Sequence, residues 1–485
     1  MSSTPSLPTP LLASLLASLL ALSLPLAACT PRGPGPAGNG EKPAEAVAAA
    51  PTSSSTPARP LSRSTGAVAL EVVPQFDRID LRRGAQDLNL LVRLRGEGKQ
   101  ASERPPLDLA VVLDRSGSMS GDKILAVKQA ALDLLKELRP SDRITLISYS
   151  DEVDVHVERL AVDAAGADVV RKAVLPIQPD GGTALGPALI RGLGLLQGAK
   201  RGEREMGHLL LFSDGQANVG EQNPDVLGAH ASAGFKRGVS VSTLGVGLDY
   251  AEDLMTKIAD RGGGRYHFIK GADEVPRVLA DELAGLVSTV ATGIQVALRP
   301  APGVQVARVF GYPAQRREGA TEVAIGSIGA TQLREVVVRL HVEAAAGEEV
   351  ALGVLGMSFT DLGQDGQRGQ TELALALRSS RDDDEVRRSE RTEVTVRVAE
   401  VEGAEQLQLA AKAVESNDYD GAQRVLSAGL QALELQQKAT PSPKLAQQIE
   451  DLKDASKGVD RARTSVEEDK MFKKFSKAKA YKTMK

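Results

Sequence analysis

Apolar and polar positions alternate in blocks between residues 107 and 292. Leu107–Leu113 (LDLAVVL) is a short apolar run, the pattern of a strand covered on both faces. A polar loop, Asp114-Arg115-Ser116-Gly117-Ser118-Met119-Ser120-Gly121, opens a helix over Lys123–Leu138. Arg143–Ser150 reads as the next strand, with Val153–Val157 as an antiparallel neighbour. Asp180-Gly181-Gly182-Thr183 opens a helix over Ala184–Gln197, and strand His208–Phe212 runs into Ser213-Asp214-Gly215. A helix at 224–237, strand Val239–Val246, a helix at 251–260, strand Arg265–Ile269 and a helix at 272–292 complete the series. Strands alternating with helices at this spacing predict an α/β unit, a doubly wound, mainly parallel sheet of Rossmann-like form.

The flanks have a different period. Ala67–Val73, Leu88–Leu94, Ile294–Leu298, Val304–Phe310, Glu335–Val342, Val350–Val354 and Thr392–Val398 are β-type runs separated by Gly and Pro turns. They predict an antiparallel β-sandwich built from residues 66–106 and 293–400, with the unit at 107–292 inserted into it. Arg378–Arg391 reads as a mixed-charge connection. Further on, Leu407, Ala410, Ala411 and Val414 form one helical stripe, and Ala422, Val425, Leu426, Leu430 and Leu433 another. A small α-helical segment is expected over 401–456, closed by a helix at 443–456. Its turn, Ser416 to Ala422, resembles that of tetratricopeptide-like repeats. Residues 457–485 carry seven lysines from Lys470 onward and are expected to be a solvated, disordered basic tail.

Composition removes several function classes. The chain has 485 residues, and 59 Lys plus Arg against 63 Asp plus Glu leave a net charge of −4. So balanced a chain is no general polyanion binder, and no specific nucleic acid is expected as a partner. One cysteine and five histidines exclude a disulfide framework or a Cys/His zinc site. The long apolar run at 11–28 ends in small residues, as a secretory signal peptide at 1–28 does, although residues 1–10 carry no Lys or Arg. Leu26-Ala27-Ala28-Cys29 resembles the bacterial lipobox, and the only cysteine falls at its lipidation position. That resemblance implies a lipid-anchored protein of the bacterial cell envelope, held to the membrane through Cys29. Thr30 is not the Asp that marks inner-membrane retention in such proteins, which favours the outer membrane or a periplasm-facing site. Residues 29–65, rich in Pro, Ala, Ser and Gly, read as a flexible linker reaching on the order of 30 Å.

In doubly wound folds ligands bind beyond the carboxyl ends of the strands. Asp114 and Asp214 each follow a strand, and Ser116, Ser118 and Thr183 stand in loops at the same rim. Two carboxylates and three hydroxyls form an oxygen-only donor set, suited to a hard divalent ion and poorly suited to zinc. Asp-x-Ser-x-Ser, then Gly-Gly-Thr, then Ser-Asp-Gly resembles the metal-ion-dependent adhesion site of von Willebrand factor type A domains. Thr243 to Gly247 and Gly262 to Tyr266 resemble the last strands of bacterial members. By that resemblance Ser116, Ser118 and Thr183 hold Mg²⁺ (or Mn²⁺ or Ca²⁺) directly, and Asp114 and Asp214 act largely through water. One coordination position would be left for the Asp or Glu carboxylate of a protein partner. The implied role is adhesion or scaffolding, not catalysis. Mg²⁺-dependent phosphatases also use such a rim, but the Asp-x-Asp pattern of haloacid-dehalogenase-like hydrolases fails at Ser116. No phosphate loop or Gly-x-Ser-x-Gly elbow occurs. A Mg²⁺-dependent hydrolase and a degenerate structural spacer remain the alternatives.

Overall fold

The computed structural model describes residues 61–97, 104–198, 202, 205–343, 347–364 and 366–485. The signal segment at 1–28, Cys29 and the linker as far as residue 60 lie outside the described residues. Residues 61–65, expected as the end of the linker, form strand β1 (Leu61–Thr65), antiparallel to β2 (Val68–Pro74). Its side chains are almost all exposed, so backbone pairing to a sheet edge is what orders it.

After β3 (Arg78–Asp80) and β4 (Gln86–Gly96) the chain enters the α/β unit. This comprises β5 (Leu107–Asp114), α1 (Asp122–Glu137), β6 (Arg143–Tyr149), β7 (Val153–Ala161), α2 (Ala164–Val174), α3 (Leu185–Gly198), β8 (Met206–Ser213), α4 (Pro224–Lys236), β9 (Val239–Val246), α5 (Glu252–Arg261), β10 (Gly263–Ile269) and α6 (Val275–Val287). The strand order is β10-β9-β8-β5-β6-β7, parallel throughout except for β7. Alternation along β5 shows why its run is apolar on both sides. Leu107, Leu109, Val111 and Leu113 join the core with α1, α2 and α6, while Ala110 and Val112 join the opposite core with α3, α4 and α5.

The remaining strands are β11 (Thr289–Pro300), β12 (Val304–Val309), β13 (Ala314–Arg317), β14 (Ala320–Gly329), β15 (Leu333–Val342), β16 (Glu349–Asp361) and β17 (Gln367–Ser380). They complete two sheets, β1-β2-β4-β15-β12 and β13-β14-β11-β16-β17-β3. One apolar core joins their inner faces, with Leu70, Val92 and Leu340 from the first and Val296, Leu355 and Leu375 from the second. The α/β unit stands between β4 in one sheet and β11 in the other.

In the run Val336-Val337-Val338 the outer two side chains enter the sandwich core and Val337 points the other way. There it meets a helical layer formed by α8 (Thr392–Glu415), α9 (Tyr419–Ala439), α10 (Pro443–Ala462) and α11 (Val466–Met484), which follows the short α7 (Asp383–Arg388).

Several sequence expectations are corrected. Thr392–Val398 is the start of α8, not a strand: Val394, Val398, Val401 and Leu407 are buried at helical spacing, and tertiary burial overrides β-branched propensity. The helix expected over 272–292 ends at Val287, and Thr289 already belongs to β11. Arg378–Arg391 is not merely a connection but holds the end of β17 and α7. Between β7 and α3, where no element is expected from the sequence, the chain forms α2, capped by Asp163, whose carboxylate accepts from Gly166 N at 2.8 Å. The tail at 457–485 is not disordered. It finishes α10 and forms α11, N-capped by Ser465, with Glu467, Glu468 and Asp469 in its first turn. Helix α11 lies along the outer strand of the α/β sheet: Phe475 meets Phe268 edge-on at 5.2 Å, and Tyr481 meets Tyr266 at 5.5 Å. A sheet edge that would otherwise invite another strand is thereby covered.

Candidate metal site

Asp114 closes β5, and both its oxygens are engaged. Oδ1 accepts from Ser116 N at 2.8 Å, and Oδ2 accepts from Ser213 Oγ at 2.9 Å and Tyr149 OH at 3.3 Å. The side chain is fully buried. Burial pushes its carboxyl above the ordinary value, against the pull of the Ser116 and Ser213 hydrogen bonds. The backbone then turns so that the Ser116 and Ser118 hydroxyl oxygens stand 3.0 Å apart. Ser118 Oγ donates to Asp214 Oδ1 at 2.7 Å, linking the end of β5 to the end of β8. Asp214 is also fully buried.

Thr183 comes from a third loop. Its N–H donates to Asn218 Oδ1 at 2.7 Å, and Ala184 N donates to Ser150 O at 2.7 Å. The loop is tied down further by Gly117 N donating to Gly181 O at 3.1 Å and Gly182 N donating to Asp151 Oδ1 at 2.9 Å. Gly181 has φ +68°, and a Cβ there would stand 2.2 Å from Asp151 Oδ2, so only glycine fits.

The structure thus brings Asp114, Ser116, Ser118 and Asp214 into one hydrogen-bonded chain, with Thr183 at its side. A Cβ on Gly215 would lie 3.4 Å from both Ser118 Oγ and Thr183 Oγ1, so this glycine keeps the space between the two hydroxyls open. The donors are oxygens only, two of them from buried carboxylates. That set fits a hard divalent ion. Among the described residues no group of three or more His, Cys, Asp and Glu side chains is placed to hold a metal.

Sequence reasoning passed over Lys123, whose Nζ stands 2.5 Å from Asp214 Oδ2. It also passed over Tyr149, Asp151 and Asn218, which orient the loops. Only position offered a signal: Lys123 lies in the first turn after the loop, and Asp151 stands just past the carboxyl end of β6, as Asp114 stands at that of β5. His208 sits at the start of β8, away from these loops, with Nδ1 2.6 Å from Ser240 Oγ.

A doubly wound sheet carrying these three loops defines the class, and comparison gives it a name. Residues 108–279 match the von Willebrand factor type A domain, so the chain carries such a domain. It is 24% identical over 316 residues to the uncharacterized protein sll0103 of Synechocystis, covering 63% of this chain and 73% of that protein. It is 31% identical over 252 residues to the uncharacterized protein YfbK of Escherichia coli, covering 50% of this chain and 43% of the other. Human inter-alpha-trypsin inhibitor heavy chain H4 is 32% identical over 166 residues, 33% of this chain and 18% of its own length. Among solved structures, a von Willebrand factor type A protein from Catenulispora acidiphila aligns with a TM-score of 0.65 at 18% identity, over 83% of this chain and 92% of its own. The ArnB paralog VWA2 from Sulfolobus acidocaldarius gives 0.55 at 17% identity, over 85% and 98%. Their likeness is one of fold, and it extends well beyond residues 108–279.

Proposed function

We propose that this protein is a metal-dependent protein-binding module, serving adhesion or scaffolding and displayed from the bacterial cell envelope on a lipid-modified Cys29. The observation that carries the reading is the convergence of Ser116, Ser118 and Asp214 through contacts of 2.7–3.0 Å, with Gly215 holding room beside Thr183. Ser116, Ser118 and Thr183 would hold Mg²⁺, or Mn²⁺ or Ca²⁺, through their hydroxyls, and Asp114 and Asp214 would supply charge from behind. When bound, the ion supplies a Lewis-acidic position for a carboxylate oxygen of the partner. The chain's own task is to hold its donors still. Asp114 is fixed by Ser213, Tyr149 and the Ser116 amide, and Thr183 by Asn218. The donor set offers few direct anionic ligands, which leaves an outside Asp or Glu room to complete the shell.

The reading is for binding, not turnover. Ser116 stands where a phosphatase of the Asp-x-Asp kind needs its second carboxylate, and His208 lies at the start of β8, not among the three loops. Calorimetric titration of Mg²⁺ and Mn²⁺ into the whole chain should give one saturable site. Replacing Ser116→Ala together with Asp214→Ala should abolish it while the fold, read by circular dichroism, persists. Undiminished binding in the double variant would move the ion elsewhere and end this reading.

A further inference from the structure

Lys123 stands at the second residue of α1, with its ammonium in the same cluster as the candidate ligands. Nζ lies 2.5 Å from Asp214 Oδ2 and 3.3 Å from Ser118 O. The lysine side chain is 31% exposed and the carboxylate it meets is fully buried. Across the rim Gly247, between β9 and α5 and with φ +80°, lies against the end of this side chain. Buried Asp214 is therefore paired with a protein cation, and that cation sits on the carboxylate oxygen that Ser118 does not use.

We propose that Lys123 is a positioning residue with two opposed effects: it steadies buried Asp214, and it limits how tightly the site holds a divalent ion. The proposal rests on the metal-site reading above. A buried carboxylate without a counter-charge is strongly disfavoured, so the ammonium supports the fold. The same ammonium repels a second cation drawn to the same carboxylate, because like charges a few ångströms apart interact strongly when partly desolvated. One side chain thus exchanges ion affinity for stability. A site tuned this way responds to the divalent ion concentration around it instead of remaining saturated.

The test uses the whole chain, with Mn²⁺ and Mg²⁺ alone as probes. Lys123→Met keeps the aliphatic stem and removes the charge; Lys123→Arg keeps the charge. Lys123→Met should bind Mn²⁺ tighter by on the order of tenfold. In chelator it should melt roughly 5 °C lower. Lys123→Arg should stay near the parent in both. In an Asp214→Asn background, Lys123→Met should no longer lower the melting temperature, because the charge it neutralises is gone. Lys123→Gln, titrated beside it, supplies the affinity readout should the methionine variant not fold. A parent that binds Mn²⁺ while Lys123→Met and Lys123→Gln bind it no tighter would overturn the proposal and leave the metal site standing. A flat titration of the parent would overturn the metal-site reading itself and this proposal with it.

Discussion

Deleting residues 465–485 is expected to lower the melting temperature by ~10 °C and to open strand β10 to hydrogen exchange. Helix α11 buries Phe472, Ala480 and Met484, and its Phe475 and Tyr481 pack on Phe268 and Tyr266 of β10. At about 1.5–3 kcal/mol for each large apolar side chain, these contacts sum to roughly 5 kcal/mol. The lysines contribute less than their number suggests. Lys470 pairs with Asp249 at 2.5 Å, Lys477 with Asp253 at 2.7 Å and Lys485 with Asp260 at 2.9 Å. The first two pairs have an acid that is more than half exposed, and such pairs are worth little. Lys474 and Glu252 are buried 3.7 Å apart, and burial pushes the lysine down to about 8 and the glutamate up to about 7. That pair is held by the fold more than it holds the fold. Charge here selects where the helix docks, and the aromatic contacts keep it there. Calorimetry with hydrogen exchange on the truncated chain checks the expectation. An unchanged melting temperature with β10 still protected would reduce α11 to a passenger.

The same helix shows where the sequence stopped being legible. Seven lysines without an acid among them read as a solvated tail because most of their partners are elsewhere: Asp249, Asp253, Asp260, Glu415 and Asp451 lie further back along the chain, and only Lys473 pairs within the helix, with Asp469. Complementarity between distant segments leaves no local pattern. Helix α8 was hidden for the opposite reason. Its β-branched start has strong local strand character, which burial against Val73, Leu91 and Val337 overrides. The α/β unit was legible because its signals are local. Apolar runs of seven or eight residues mark strands buried on both faces, and polar loops mark their carboxyl ends. Asp114, Ser116, Ser118, Thr183 and Asp214 could be placed at one rim from that topology alone. Lys123 could not, since a lysine in the first turn of an amphipathic helix looks like any other until its neighbour from β8 is in place.

Replacing Glu282→Ala is expected to cost about 3–5 kcal/mol, because this carboxylate joins the last helix of the α/β unit to three strands. Glu282 lies on α6 and is buried; Ser242 Oγ of β9 donates to it at 2.5 Å and His267 Nε2 of β10 stands 2.9 Å away. His208 Nε2 of β8 lies 3.5 Å from one oxygen and Arg265 3.8 Å from the other. Arg334 of β15 lines the same small cavity, so the cluster sits where the α/β unit meets the sandwich. Without the carboxylate, Ser242 and His267 lose a hydrogen-bond partner and Arg265 loses its ion-pair partner. Burial alone would raise the Glu282 carboxyl, yet His208 and His267 hold it well below its ordinary value of 4.5. A carboxyl depressed in the fold adds stability above its unfolded value, and that stability is lost as pH falls through the folded value. The advantage of the parent over Glu282→Gln should therefore be full above pH 4.5 and should shrink progressively in more acidic solution. Urea unfolding at pH 7 and at successive acidic values measures it. A difference that persists undiminished into strong acid would mean that glutamine is tolerated poorly for its shape, and that the charge of Glu282 does not anchor α6.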